Sequence, residues 1–482
     1  MNSTRWMILI LILAAALRLW GLGSESLWLD EALTVKKIEA ALPDFVLHFA
    51  YETQAILYYF IEKLWCGVAG TSEWALRFPS VVYGLAAVLG TFLLTRALFS
   101  PVAGLYAALF MAVNPFAVHY SQEARPYQLF LAAAVFSVYY VLRVLRDGSH
   151  RSRVGYVCST VVALYSHPLA LLLWGVHATA LLPADVRGTD WRQAARRLFG
   201  VMSLSALLFL PQVLLSSAMV VAKMLGVSPA GWIPVPSFAA IPATVQHYFM
   251  HPLLAPAVVL VIIAVVIFVL LKRRRLPSAL WIPAALLVFG ILGPWVISRV
   301  LTPVYVDRYT IPALAGLILF LAWSLSIMPL RLRAAAVALL LIPTGLVLHG
   351  YYAGMDKDPW RETAAEVHAL NKPGDVLVVA RSYAMPAFLH YYRPPANVTC
   401  IAPSSNDGIP LSVDTAARIV FVSAYDLGSN EFQRELQARM AAGRMVVAQK
   451  TIAEHSRRNP YAYWISPIRA TVYEREVPSG EP

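Results

Sequence analysis

Residues 5–33 read RWMILILILAAALRLWGLGSESLWLDEAL. An apolar run long enough to cross a bilayer is followed at once by two carboxylates, Asp30 and Glu31. Acidic side chains at a membrane surface are costly to keep unless they are used. The stretch therefore predicts a membrane span with a functional acidic pair just beyond its outer end, although Asp30 is also a suitable residue to cap a helix.

The composition of the whole chain indicates a polytopic membrane protein. Of its 482 residues, 59% are hydrophobic and 14% are charged, whereas soluble domains carry about 25% charged residues. The net charge of +12 does not indicate a nucleic-acid partner, because the basic residues cluster between apolar runs, where they set orientation. Three cysteines spaced far apart give neither a disulfide framework nor a zinc motif.

About eleven apolar runs predict transmembrane helices, and the first is interpreted as an uncleaved span and not a signal peptide. They lie near residues 5–22, 75–98, 101–118, 127–146, 154–166, 168–184, 197–217, 254–271, 277–298, 309–328 and 334–352. The shorter apolar stretch 56–68, interrupted by Glu62 and Lys63, predicts an interfacial helix.

The distribution of basic residues predicts the orientation of these spans. Arginines and lysines concentrate in one set of loops, as in residues 272–275, which read KRRR. The positive-inside rule places that set in the cytoplasm, and Asp30 with the C-terminal tail on the other side. We therefore expect a cell-membrane protein whose last domain is extracytoplasmic.

The composition changes after residue 352, which predicts two domains, 1–352 and 353–482. Helices are expected at 360–370 and near 431–442, and strands at 376–380, 417–422 and 444–448. This alternation is typical of a small α/β domain with a partly parallel sheet. No glycine-rich phosphate loop and no nucleophile elbow occur in it.

Further chemistry-bearing residues lie at the predicted outer ends of later spans. Glu123 and Arg125 precede Pro126, which can open a helix, so the carboxylate would be favoured by the helix dipole and the arginine could grip a phosphate. A local Glu–Arg pair that only orders the loop is the alternative. His167 and Arg308 are candidates to bind a sugar and a lipid phosphate; an interfacial histidine and a snorkelling arginine are the alternatives.

Acidic, basic and histidine side chains on one membrane side predict a pocket for an anionic amphiphile. A polyprenyl-phosphate sugar fits this description. Its phosphate leaves without a strong general acid, so the reaction needs a base for the acceptor and cations for the departing phosphate.

The sequence resembles the GT-C membrane glycosyltransferases, specifically family 39, which includes the dolichyl-phosphate-mannose protein mannosyltransferases and the related lipid A aminoarabinose transferases. The similarity is carried by LWLDEA at 27–32, SQEARPY at 121–127, YSHPLALL at 165–172, VDRYTIPAL at 306–314 and DPWRETAAEV at 358–367. One departure is at 52–59, where many members carry a His-Pro-Pro-Leu-like run and only Leu-Tyr-Tyr remains.

The resemblance implies an all-α GT-C domain followed by the small α/β domain, and an inverting transfer of a monosaccharide from a polyprenyl-phosphate donor to a lipid, glycan or protein. It implies that Asp30, Glu31 and Glu123 are catalytic, with Asp30 as base. The candidate substrate-binding residues are Arg125, Tyr127, His167, Arg308, Tyr309 and Tyr58.

Two other classes of function stay open from the sequence: a transporter or flippase of a lipid-linked sugar, and a non-catalytic receptor or assembly subunit. The absence of repeat symmetry and of mid-span acidic residues disfavours the transporter. No cofactor or metal ligand is assigned, and a divalent cation is left open because members of the family differ in metal use. The sugar, the acceptor and the role of the tail domain are not specified by the sequence.

Overall fold

The computed structural model describes residues 3–50, 52, 54–182, 191–217, 221, 233–354, 357–380, 382–403, 409–424, 431–453 and 468–475. By contacts the chain forms two compact units. The first contains residues 1–22 and 37–349, and the second contains residues 23–36 and 350–482. Of the three boundaries between the units, the one at residues 22/23 lies between α1 and α2, and those at 36/37 and 349/350 fall inside helices.

The first unit is helical. In chain order the helices of the described residues up to 353 are α1 Ser3–Leu19, α2 Leu29–Glu39, α3 Leu42–Ala50, α4 Leu57–Ala69, α5 Glu73–Leu98, α6 Pro101–Val113, α7 Pro115–Ser121, α8 Tyr127–Arg146, α9 His150–Leu164, α10 Leu173–Thr179, α11 Trp191–Leu215, α12 Ala240–His247, α13 Leu254–Leu271, α14 Trp281–Leu287, α15 Gly293–Val300, α16 Pro312–Ile327 and α17 Leu330–Ala353. Short 3₁₀ turns at Pro168–Leu172, Ser278–Leu280 and Asp307–Thr310 and a π-helical turn at Val288–Leu292 complete it.

Helices long and apolar enough to cross a membrane make this a multi-pass membrane protein. Within the described residues there are six, and the bent pair α6–α7 gives a seventh. Within the described residues, each predicted span coincides with a helix or a broken helix, and the last two residues of the span predicted at 168–184 lie outside them. Several of these helices, such as α9 and α16, are only 15 and 16 residues long. The predicted interfacial helix is α4, whose Lys63 donates to the carbonyls of Ile38 and Ala40 at the end of α2.

The bend between α6 and α7 is 59° and lies at Asn114–Pro115. The side chain of Asn114 accepts from the N–H of Ala117 and so caps α7. The freed carbonyls of Met111 and Ala112 accept from the guanidinium of Arg18, a fully buried residue of α1. An arginine inside an apolar unit is thereby satisfied by a broken helix, and α7 leads from the break into the loop at residues 122–126.

The second unit is the predicted α/β domain. Its helices are α18 Trp360–Leu370, α19 Met385–Tyr391, α20 Leu411–Thr415 and α21 Glu431–Ala441, with a 3₁₀ turn at Ser382–Ala384, and its strands are β1 Val376–Val379, β2 Thr399–Ile401, β3 Arg418–Ser423, β4 Arg444–Ala453 and β5 Ile468–Arg475. The strand order is β2-β1-β3-β5-β4. Strand β1 is parallel to β2 and β3, and β5 is antiparallel to β3 and β4, so the expected partly parallel sheet is confirmed.

Alternation along β1 builds two cores in this unit. Leu377 and Val379 pack in the cluster that contains Trp360 and Phe388. Val376 and Val378 pack in the other cluster, with residues of α20 and α21. The sheet therefore has helices on both faces, which explains its continuous apolar strand.

Residues 23–36 belong to the second unit, although they follow the first span. Ser26 donates to Glu362, and the N–H of Leu27 donates to the hydroxyl of Tyr391. Lys357 forms a buried ion pair with Glu31, with 3.0 Å between Nζ and Oε1. The N-terminal part of α2 is thus held by the second unit, and its last three residues belong to the first.

Candidate functional site

Two arginines of the first unit flank one buried tyrosine. Arg308 Nε donates to the hydroxyl of Tyr127 at 3.0 Å, and both residues are almost completely buried. The guanidinium carbon of Arg125 lies 5.9 Å from the centre of the Tyr127 ring, and that of Arg308 lies 6.0 Å from it. Two desolvated guanidinium groups that contact one ring are a candidate site for an anion.

The local sequence explains how these groups are presented. Tyr127 is the first residue of α8, directly after Pro126, whose missing N–H falls where a helix needs no donor. Arg308 lies in the 3₁₀ turn Asp307–Thr310 that leads into α16. The three side chains therefore come from helix ends and not from helix interiors.

His167 adds a neutral polar group beside the arginines. Its ring stacks on Phe130 at 5.0 Å and lies 4.8 Å from the ring of Tyr309. Burial, with the nearby charges of Arg125 and Arg308, lowers the pKa of His167 to about 3. Its Nδ1 accepts the N–H of Leu169, so Nε2 carries the proton and can act as a donor.

Glu123 is paired with a histidine that the sequence analysis did not select. His119 Nε2 lies 3.1 Å from Glu123 Oε1, and the side chain of Glu123 is 4% exposed. The other oxygen, Oε2, is buried and accepts no hydrogen bond from the described residues. The spacing of four residues within 119–123 is a signal that could have identified His119.

A second histidine–carboxylate pair is formed by His247 and Asp307. His247 Nδ1 lies 2.7 Å from Asp307 Oδ2, and the other Asp307 oxygen accepts the N–H of Arg308. His247 comes from the end of α12, far away in sequence. Only the tertiary fold brings it to the Asp-Arg-Tyr segment, so no local pattern could have found it.

A further cation that the sequence analysis missed is Lys37. Its Nζ lies 3.3 Å from Glu52 Oε1, donates to Gln54 at 3.1 Å, and lies 4.9 Å from the centre of the Tyr59 ring. Arg125 is 6.0 Å from the same ring. Lys37, which faces Tyr59, could not be selected from the sequence, because no local pattern distinguishes a buried lysine from an exposed one in the same helix.

Tyr58, the neighbour of Tyr59, lies in the core of the first unit. Its ring is fully buried, its hydroxyl is 3.5 Å from Ser80 Oγ, and it meets Tyr59 edge to face. On the same helix Glu62 is buried, and burial raises the pKa of Glu62 to about 8. A substrate-binding role for Tyr58 stays a prediction.

Asp30 and Glu31 begin α2 in the second unit. Asp30 is half-buried, and its backbone carbonyl accepts from Thr34. Glu31 is completely buried and is paired with Lys357. The two acidic residues thus differ, because Asp30 is partly exposed whereas Glu31 is buried and held by an ion pair.

Comparisons with known proteins agree on the fold. A family model described as dolichyl-phosphate-mannose-protein mannosyltransferase matches residues 53–217. ArnT from Cupriavidus metallidurans bound to undecaprenyl phosphate is similar over 99% of both chains, with a TM-score of 0.58 and 12% identity. Its apo state gives a TM-score of 0.57 at 13% identity over 98% of both chains.

The apo oligosaccharyltransferase of Archaeoglobus fulgidus also matches, over 92% of this chain and 71% of that chain, with a TM-score of 0.57 and 13% identity. This chain has the GT-C fold. Curated protein sequences give no match to it. The predicted class, a GT-C membrane glycosyltransferase, is confirmed by the family model and the fold.

The family-model match includes Glu123, Arg125, Tyr127 and His167 of this GT-C chain but ends before Arg308. The match therefore says nothing of Arg308, nor of Asp30, which lies before it. Within the described residues, no group of three or more His, Cys, Asp or Glu side chains is arranged to hold a metal ion.

Proposed function

We propose that this protein transfers a monosaccharide from a polyprenyl-phosphate donor to a lipid, glycan or protein on the extracytoplasmic face of the membrane. The observation that carries the proposal is the pair of buried arginines, Arg125 and Arg308, which both contact Tyr127. A phosphodiester presents two charged oxygens that one guanidinium can bind together, whereas an uncharged lipid offers the arginines no such partner.

The side chains beside the arginines suit a sugar. His167 is neutral and keeps an N–H to donate, while Phe130 and Tyr309 give flat apolar surfaces. Sugar rings combine hydroxyl groups with apolar faces, so this mixture of donor and aromatic groups supports binding of the donor's sugar.

Asp30 is the proposed base, and its assignment comes from the LWLDEA motif. It accepts the proton of the acceptor hydroxyl or amine. The acceptor atom then bonds to the anomeric carbon as the bond from that carbon to the phosphate oxygen breaks, and the electron pair leaves with the polyprenyl phosphate. Attack opposite the leaving group gives inversion. Glu123 assists from its pair with His119.

Glu31 supports this chemistry by fixing the beginning of α2 through Lys357. The extracytoplasmic placement of Asp30 and of residues 353–482 follows from the positive-inside rule. One structure of ArnT contains undecaprenyl phosphate, and one structure of AglB from Archaeoglobus fulgidus contains a dolichol phosphate and an inhibitory peptide. These ligands of similar proteins support a polyprenyl-phosphate donor for this chain.

The role of Asp30 is tested by sugar transfer from polyprenyl-phosphate donors by the purified protein in detergent. Removing a base is expected to lower kcat of Asp30→Asn by about 100-fold or more. Asp44→Asn, at an exposed aspartate of α3, is the matched control and should be neutral. Wild-type rates for Asp30→Asn would remove Asp30 from the mechanism.

The arginine site predicts a different kinetic effect. Arg125→Ala is expected to raise the KM for the lipid donor by about tenfold, because a charge-assisted contact to phosphate is lost. Arg143→Ala is the control, since Arg143 is exposed and paired with Asp147. An unchanged donor KM in Arg125→Ala would reject the phosphate contact.

A further inference from the structure

Arg125, one of the two cations of the proposed phosphate site, contacts two buried tyrosine rings. Its guanidinium carbon lies 5.9 Å from the centre of the Tyr127 ring and 6.0 Å from that of the Tyr59 ring. Arg308 donates to the hydroxyl of Tyr127, so that ring is held by a second cation. Tyr59 is also fully buried, and its ring needs an anchor of its own if Arg125 is to keep one orientation.

Lys37, in the last turn of α2, provides this anchor. Its ammonium lies 4.9 Å from the centre of the Tyr59 ring and donates to Gln54 Oε1 at 3.1 Å. The hydroxyl of Tyr59 donates to the same oxygen of Gln54. Only 6% of the Lys37 side chain is exposed, and a desolvated cation interacts more strongly with an aromatic face than an exposed one does. Lys37 and Gln54 thus hold Tyr59 at its ring and at its hydroxyl.

The backbone at Lys37 is fastened to the helix that carries Tyr59. Lys63 of α4 donates to the carbonyls of Ile38 and Ala40, at 2.6 Å each. Tyr59 and Lys63 are four residues apart in α4 and therefore share one of its faces. The same face of α4 thus holds the end of α2 and presents the ring that Lys37 contacts, which defines the geometry of that contact.

Glu52 makes the buried lysine compatible with the fold. Glu52 Oε1 lies 3.3 Å from Lys37 Nζ and 3.1 Å from His48 Nε2, and 29% of the Glu52 side chain is exposed. Glu52 and Gln54 stand in the segment 52–59, where this chain departs from the family pattern. The two residues that bind Lys37 are therefore ones that the resemblance leaves without a role.

We propose that Lys37 is a positioning residue for Arg125 and acts through the ring of Tyr59. A guanidinium must be aligned to give a phosphate two hydrogen bonds at once, so a fixed ring beside it lowers the cost of binding without touching the ligand. This inference rests on the proposed function and adds a residue from outside the motifs that form the phosphate site. The alternative is that Lys37 only neutralises Glu52 and fastens the segment around it.

The test measures the dissociation constant of undecaprenyl phosphate for the purified full-length protein in detergent. Lys37→Met keeps the apolar stem but removes the charge, and Glu52 retains His48 as a partner, so the variant should fold. Its binding should weaken by about fivefold, because Tyr59 and then Arg125 lose their fixed positions. Lys36→Met, at the exposed lysine next to it, is the matched control and should bind as the wild type does.

A double-variant cycle separates positioning from direct contact with the phosphate. If Lys37 acts through Arg125, Lys37→Met should have little effect in Arg125→Ala, and the double variant should bind about tenfold more weakly than the wild type. A loss of about fiftyfold, the product of the two single effects, would overturn the proposal. Wild-type binding by Lys37→Met, even with a lower unfolding temperature, would overturn it too, because a purely structural contact predicts that result.

Gln54→Ala tests the same network without changing a charge. It leaves Lys37, Arg125 and the Tyr59 ring but removes the acceptor that Lys37 and Tyr59 share. Its binding should also weaken, and only when Arg125 is present, so wild-type binding by Gln54→Ala would contradict the proposal even if Lys37→Met did not fold. A wild-type protein that does not bind undecaprenyl phosphate would instead reject the proposed function.

Discussion

His167 is neutral because it is buried between aromatic rings and close to two arginines. Its pKa in the folded protein is about 3, against about 6.5 in an unfolded chain. Between these values the unfolded chain binds a proton that the folded one does not. The contribution of His167 to the unfolding free energy is therefore complete above about pH 6.5 and falls as the pH decreases toward 3.

This linkage predicts an acid-sensitive stability that depends on one residue. Between pH 7 and pH 5 the wild type should lose about 2 kcal/mol of unfolding free energy through His167. His167→Asn keeps an acceptor for the N–H of Leu169 but cannot be protonated, so its loss should be smaller by that amount. Thermal unfolding in detergent at the two pH values measures this.

The matched control is His251→Asn, because His251 also accepts a nearby N–H, that of Leu253, but lies closer to solvent. Between the two pH values, the unfolding free energy of His251→Asn should change by as much as that of the wild type. A wild-type pH dependence in His167→Asn would mean that the pKa of His167 is the same in the folded and the unfolded chain.

Residues that stand in a local sequence motif could be predicted, whereas residues whose partners are distant in sequence could not. Arg125, His167 and Arg308 were selected because each stands in a motif at the end of a predicted span. His119 left a usable signal, the four-residue spacing to Glu123. His247 and Lys37 left none, because their partners are set by packing between helices that no single-sequence pattern relates.

At the scale of elements, the break in the third predicted span is held by contacts that leave no room for a side chain. Gly84 of α5 faces Ser121 and Arg18, and a Cβ there would lie 2.3 Å from Ser121 Oγ and 2.8 Å from Arg18 Nε. Ser121 Oγ accepts from Arg18 Nε and donates to Ala117. Moving it would cost both hydrogen bonds.

Gly84→Ala is therefore expected to lower the unfolding free energy by about 1–3 kcal/mol through overpacking. Gly345→Ala is the matched control, since nothing lies within 4 Å of a Cβ there, and it should be neutral or slightly stabilising. The double variant Gly84→Ala/Ser121→Ala should recover part of the loss, and an additive effect in thermal unfolding would contradict the steric argument.

Hydrophobic length placed the helices, but it did not reveal where one of them breaks. The dipeptide Asn114-Pro115 is a turn signal that could have marked the bend, because Asn caps a helix and Pro starts one. The partly parallel sheet was predictable because β1 is uniformly apolar. The inclusion of residues 23–36 in the second unit was not predictable, since their partners are distant in sequence and no local pattern indicates them.

At the scale of the whole molecule, the Glu31–Lys357 pair joins two parts of the second unit that lie more than 300 residues apart in sequence. The two side chains are 0% and 4% exposed, so removing one partner leaves a buried charge without compensation. Glu31→Gln should therefore destabilise the second unit by about 3 kcal/mol or more, seen as earlier cleavage in limited proteolysis. Activity would fall with it, because Asp30 shares the first turn of α2.

The charge-swapped double variant Glu31→Lys/Lys357→Glu separates this positioning role from a direct chemical one. A restored ion pair should recover both protease resistance and most of the transfer activity if Glu31 acts only through Lys357. Recovery of resistance without activity would instead make the Glu31 carboxylate itself part of the reaction. Asp30→Asn should differ from Glu31→Gln by keeping normal protease resistance while kcat falls by about 100-fold or more, because the carboxylate of Asp30 is not in this buried pair.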